Sequence, residues 1–161
     1  MKRLALLALL FVFACGAKPP LDCSVLPSLP ANVEAADALR AQGSRWTNAQ
    51  IRARYVCEQQ RIGPQNEQWK GSGLSAADRA HKAYDLRHNA RLVARAMMQD
   101  RAEVKALQAR DNARYGSPDG PTFEWLMKHL ADKGISGDVA YEEIIKSAQR
   151  TDEATNRAVL P

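Results

Sequence analysis

The chain has 161 residues, of which 45% are apolar, 25% charged and only 6% aromatic, with a net charge of +5. That length suffices for one domain with a true core, and an apolar fraction supplied largely by alanine suits closely packed helices rather than a β-sandwich. Lys2 and Arg3 sit in a segment expected to be removed, leaving 21 Lys and Arg against 18 Asp and Glu, too small an excess to argue a nucleic-acid partner from bulk charge.

The chain opens "MKRLALLALLFVFACGAKPP". Two basic residues, an apolar run from Leu4 to Ala14 and then small residues read as a secretory signal, and the run is too short to span a membrane. Residues 1–14 are therefore assigned to a signal peptide. The stretch Val12-Phe13-Ala14-Cys15-Gly16 resembles a bacterial lipobox, which implies that Cys15 becomes the lipidated, palmitate-bearing first residue. Gly16 after it implies delivery to the outer membrane, facing the periplasm. Ordinary cleavage near Ala17 is the alternative.

Either cleavage leaves Cys23 and Cys57. Two cysteines in an oxidising compartment are expected to bridge. Residues 15–31 carry Pro19, Pro20, Pro27 and Pro30 and read as a semi-extended tether. Residues 32–161 form the expected α-helical domain.

Within that domain the helix signals come in order. Thr47 with Gln50 makes a capping box, with Trp46 and Ile51 placed as a hydrophobic staple; this helix is expected to stop near Ile62, at Gly63-Pro64. Ser75 with Asp78 opens a long helix over about 76–98, and Asp100 with Glu103 opens another ending at Tyr115. A further helix covers about 121–133, another 138–149, and Thr151 caps a short last one. No alternating strand pattern of useful length occurs. The expected fold is all-α, a compact bundle of five to six helices joined by short turns.

On the long helix, Ala83, Leu86, Ala90, Val93 and Met97 share one stripe, the expected core face. Beside it run Arg87, Arg91 and Arg95 at i, i+4, i+8, flanked by Tyr84 and His88. None of the three has a carboxylate in helical reach, so partners must come from another element, from water or from an anion. The next helix offers Asp111 on its inward stripe with Val104, Leu107 and Tyr115. A carboxylate there must be paired, because burying it alone is costly. Antiparallel neighbours joined at Gln99-Asp100 would set Asp111 opposite residue 88. Two readings follow: an interhelical salt-bridge network, or a site built from Arg87, His88, Arg91 and Asp111 with Tyr84 and Tyr115.

"YGSPDGPTFEWL" (115–126) follows. Gly116 suits a left-handed C-cap, Ser117 to Gly120 a type I turn, Pro121 a helix start with Gly120 as N-cap. If the free N–H groups near Thr122 face the arginines, the two would form an anion pocket. His81, Asp85 and His88 share a helix face, but adjacent arginines repel a divalent cation and that face lies opposite the apolar stripe. No metal and no cofactor are expected. Cys57 lacks a catalytic partner. His129 near its helix end suits the macrodipole.

Over about residues 59–157 the words "IGPQNEQWKGSGLSAADRAHKAYDLRHNARLVARAMM", "LQARDNARYGSPDGPTFEWL" and "SAQRTDEATNR" resemble α-helical C-terminal modules of bacterial secreted polymorphic-toxin proteins. Arg87, His88, Arg91, Arg110, Asp111, Tyr115, Asp119, Thr122, Arg150 and Thr151 match the polar positions of those modules. The resemblance implies attack on nucleic acid or another phosphate-bearing target, with histidine as acid–base and arginine stabilising developing charge. The chain departs from that pattern by standing alone behind a lipoprotein-like signal. The leading expectation is a lipid-anchored envelope protein whose helical domain binds a protein or anionic ligand without catalysis, through Arg87, Arg91, Arg95, Tyr84, Tyr115 and Thr122. The alternative is an effector-type enzyme using His88, Arg87, Arg91 and Asp111, with nucleic acid as a partner only in that case.

Overall fold

Residues 21–158 are described by the structure, a computed structural model. The signal stretch, Cys15 and tether residues 15–20 lie outside the described residues. Among those described there are six α-helices and no strand, so the expected all-α bundle forms. No helix of the described residues is long and apolar enough to cross a membrane.

Helix α1 (Val33–Ala41) starts on Asn32, whose side chain accepts from the Ala35 N–H. Helix α2 (Asn48–Lys70) starts on the expected capping box: Thr47 Oγ1 accepts from Gln50 N–H, and Gln50 Oε1 accepts from Thr47 N–H at 2.8 Å. Instead of stopping at Gly63-Pro64, α2 runs through them for two more turns. A proline removes one helical N–H and crowds the carbonyl four residues back. Gln60, Gly63 and Pro64 are all exposed, so water can satisfy the freed carbonyl and the disturbance stays outside the core.

Helix α3 (Ala76–Met97) is capped by Ser75, as its sequence predicts. Helix α4 (Ala102–Tyr115) has Arg101 at its N-cap with no side-chain cap bond, not Asp100, and ends on Gly116 at φ 71°. Asp100 instead faces Arg40 of α1. Helix α5 (Phe123–Ala131) is capped by Thr122, whose hydroxyl accepts from Trp125 N–H, so Gly120 and Pro121 stay in the preceding loop. Helix α6 (Gly137–Ala158) is continuous where the sequence predicts two pieces. Thr151 donates its hydroxyl to the Ser147 carbonyl at 3.0 Å: a mid-helix threonine bonding back one turn rather than a cap.

α3 is the central element, packed by α1, α2 and α6, while α6 also carries α4 and α5. One apolar cluster joins Ala36, Ile51 and Tyr55 to Val93, Ala94, Met97, Met98 and Val104; a second joins Tyr84 to Leu126, Leu130, Ala140, Ile144 and Ala148. The expected stripe on α3 holds for Ala83, Ala90, Val93 and Met97, but Leu86 is 40% exposed. Its place inside is taken by the arginine face.

The proline-rich stretch is not free over its described part. Cys23 and Cys57 are bridged, with Cα atoms 5.4 Å apart. Arg61 of α2 donates to the carbonyls of Cys23 and Leu26, Asn89 of α3 donates to the Ala31 carbonyl, and Leu29 is buried. Residues 21–31 thus form a strap against α2 and α3.

Candidate functional site

The three arginines of α3 point into the molecule: Arg91 and Arg95 are 0% exposed and Arg87 9%. A buried guanidinium is tolerable only when its donors are engaged; every nitrogen of Arg91 and Arg95 is bonded, whereas Arg87 bonds through Nη1 and its buried Nε has no partner among the described residues. Asp152 of α6 accepts from Arg87 Nη1 at 2.9 Å and from Arg91 Nη1 at 3.1 Å, and takes the Tyr55 hydroxyl of α2 at 2.7 Å. Burial, then the Asp152 charge, push the Tyr55 phenol far above its ordinary range. Arg95 donates to Asp111 of α4 at 2.9 Å, to the Thr155 hydroxyl at 3.1 Å and to the Pro118 carbonyl at 2.6 Å. Burial lowers the Arg95 pKa, and the bond to Asp111 opposes that shift.

The loop between α4 and α5 does fold back onto this ridge, but it presents carbonyls to it rather than N–H groups. The Asp119 carbonyl accepts from Arg91 Nε at 2.8 Å and the Pro121 carbonyl accepts the Tyr84 hydroxyl; burial pushes Tyr84 up to about 12. Gly120 is the point of closest approach. Its φ is +94°, and a Cβ there would stand 2.9 Å from Thr151 Cγ2 and 3.7 Å from Arg91 Nε. The space an anion would need is filled by the protein's own acceptors.

His88 is joined to this network through Nδ1, 2.9 Å from Arg91 Nη2. Because a guanidinium only donates, Nδ1 must accept, which fixes a neutral ring with its proton on Nε2. Burial, and next the Arg91 charge, hold the His88 pKa below its ordinary 6.5, against weaker opposing pulls from Asp119 and Asp85. A base whose folded pKa is depressed binds its proton more readily when unfolded. Stability is then intact above pH 6.5 and falls as pH drops below it toward the folded pKa. Urea unfolding between pH 7.5 and 5 should show this loss, and His88→Gln should flatten the curve. An equally steep curve in the variant would show that the dependence does not come from His88.

Asp111 is not brought to His88: it meets Arg95 on one side and Arg110, at 3.1 Å, on the other. α4 lies mainly along α6 rather than antiparallel to α3, which moves Asp111 toward the far end of the ridge. Of the sequence-predicted site residues, Arg87, Arg91, His88 and Tyr84 share one network. Arg95 and Asp111 extend it, Thr122 caps α5, and Tyr115 lies elsewhere.

Tyr115 stands on the wall of an open cleft of about 440 Å³ between α4, α5 and α6. Tyr115 packs edge-on to Trp125, their ring centres 4.9 Å apart, and Trp125 stacks on His129 at 4.7 Å. Leu126, Leu130 and Ile135 supply apolar lining. Cations enter from every wall: Arg110 and Arg114 from α4, Lys133 from the α5–α6 turn, Arg150 from α6. Among the described residues Arg114, Lys133 and Arg150 form no ion pair, and Arg110, 63% exposed, shares an Asp111 already held by Arg95. The other carboxylate on the wall, Glu143, is paired with Lys146. The ridge and the cleft are connected. The same guanidiniums that hold α6 through Asp152 and Thr155, α4 through Asp111 and the loop into α5 through its carbonyls fix all three walls of the cleft.

Sequence reasoning missed Asp152, Thr155 and Tyr55 as partners of the ridge, and Arg114, Trp125, His129 and Lys133 as cleft residues. Asp152 had a usable signal. With α6 continuous, Ile144, Ala148, Asp152 and Thr155 lie on one stripe and are all buried, the pattern that flagged Asp111. The cleft had none, because its walls come from three helices whose packing the sequence does not specify. Comparisons with protein-family models, with curated proteins and with solved structures gave no match to this chain.

Proposed function

We propose that this chain is a lipid-anchored cell-envelope protein whose helical domain binds an anionic ligand, without catalysis, in the α4–α5–α6 cleft. The observation that carries the reading is the set of cations with no ion-pair partner among the described residues, Arg114, Lys133 and Arg150, around the Tyr115–Trp125 wall. Such charges repel one another, and an anion relieves them. The envelope assignment is supported by the signal-like opening, by Cys15 in its lipobox-like setting and by a Cys23–Cys57 bridge suited to an oxidising compartment. The catalytic alternative has less support. His88 has Nδ1 committed to Arg91, and Arg91 and Arg95 are fully buried with each guanidinium nitrogen bonded to an internal acceptor, which keeps them from an incoming phosphate.

Calorimetric titration of the purified chain with inorganic pyrophosphate tests the reading. Binding should weaken as salt rises, fall at least tenfold in an Arg114→Gln/Arg150→Gln double variant, and persist in His88→Gln, with no phosphate released. Hydrolysis that depends on His88 would turn the assignment toward the effector-type enzyme. Incorporation of labelled palmitate, lost in Cys15→Ser, tests the anchor, and a mature protein without lipid would refute it.

A further inference from the structure

The shape and lining of the cleft narrow the ligand class, an inference that rests on the proposed anion-binding role. A bare inorganic anion would use little of it. Its volume of about 440 Å³ falls in the range of sites for small organic molecules, and much of its wall is Trp125, Leu126, Leu130 and Ile135, which a small hydrated ion leaves wet. The charge pattern is equally one-sided. Arg110 and Arg114 lie one turn apart on α4, and Arg150 lines the same cleft from α6. Several cations contributed by two helices call for a ligand head with several acceptor oxygens and more than one negative charge. A phosphate monoester has three terminal oxygens and close to two charges near neutral pH. Guanidiniums match its geometry in paired hydrogen bonds.

The geometry points to a phosphate monoester carrying an apolar or flat body: the phosphate held between the α4 arginines and Arg150, the body laid on Trp125 and the leucines of α5. A phosphodiester, with one charge and two free oxygens, satisfies fewer of the cations. The head could belong to a soluble organic phosphate or to a lipid whose headgroup is a phosphate monoester; the chemistry recognised is the same.

The test uses the full chain with Cys15→Ser, so that no lipid of its own confuses the readout. Phenyl phosphate should bind at least tenfold tighter than inorganic phosphate, and Arg150→Gln should weaken both about tenfold, whereas Lys128→Gln, outside the cleft, should change neither. Vesicles of phosphatidylcholine doped with phosphatidate should retain the protein more than vesicles doped with an equal charge of phosphatidylglycerol if the head is a lipid's. Phenyl phosphate binding without such retention assigns a soluble ligand. Equal affinities for inorganic and phenyl phosphate would overturn the apolar body while leaving the anion site in place. Vesicle retention with no preference for phosphatidate, in a chain that does not bind phenyl phosphate, would overturn the monoester. Absence of binding to pyrophosphate, inorganic phosphate and phenyl phosphate alike would remove the anion-binding role itself.

Discussion

Replacing Asp152 by asparagine is expected to lower the unfolding free energy by about 3–5 kcal/mol, the range for removing one partner of a buried ion pair. The size follows from what is left behind. Arg87 and Arg91 both lean on this carboxylate, and both are buried on the α6-facing side of α3. An amide keeps the shape and one acceptor oxygen but removes the charge and turns an N–H group toward donors that need an acceptor. The Tyr55 hydroxyl, 2.7 Å away, loses its best acceptor at the same time. Small domains have about 5–15 kcal/mol in total, so a large share of the stability rests on one side chain. Urea denaturation followed by far-UV circular dichroism measures it. A change under about 1 kcal/mol, less than a typical buried hydrogen bond to a charged group, would mean that water or another group compensates the ridge. A triple variant, Arg87→Met/Arg91→Met/Asp152→Leu, should recover most of the loss, because it removes the buried charges together instead of orphaning two of them.

Reduction of the Cys23–Cys57 bridge should destabilise the domain by about 3–4 kcal/mol in the chain-entropy account, which scales with the loop closed; here the cysteines are 34 positions apart. The loop includes α1 and the first part of α2, so the bridge restricts the unfolded chain over the region least held by α6. Cys57 is fully buried but Cys23 is only half-buried, so reductant reaches the bridge from the Cys23 side. Urea midpoints with and without a phosphine reductant, and in Cys23→Ala/Cys57→Ala, give the magnitude. Hydrogen exchange should show faster opening of α1 without loss of α3 and α6 protection. A uniform rise in exchange across all six helices would show that the strap is needed by the whole core.

The sequence spoke clearly where a local chemical device sets a local result. Thr47 with Gln50, Ser75 and Gly116 each close a helix end within four residues of themselves, and each acts as its pattern predicts. It misled where a local penalty is overruled by context: Pro64 lies on an exposed face, and Thr151 is carried through by the buried stripe of α6. For the site, the lack of intrahelical carboxylates around Arg87, Arg91 and Arg95 left another element, water or an anion as partner, and the structure supplies other elements. It could not say which, because Asp111 and Asp152 are both inward carboxylates and only the packing of α4 and α6 assigns them. That packing also settles how the loop meets the ridge, with its carbonyl oxygens, which residue spacing does not encode.

The partners of the ridge are distant along the chain: Arg87 and Arg91 lie 65 and 61 positions from Asp152, and Tyr55 lies 97. Neighbouring elements α1, α2 and α3 can assemble through short loops, whereas α6 must close a long one, and closure entropy grows with that length. Until α6 arrives, the α3 guanidiniums are best left in water. Their dehydration and the docking of α6 are therefore one coupled event. Contacts formed after the rate-limiting barrier act on the rate of escape from the native state rather than on the rate of reaching it. If α6 docks on the native side of that barrier, Asp152→Asn should speed unfolding and leave folding unchanged, making the ridge a kinetic latch; a slower folding rate would place the docking of α6 in the barrier itself.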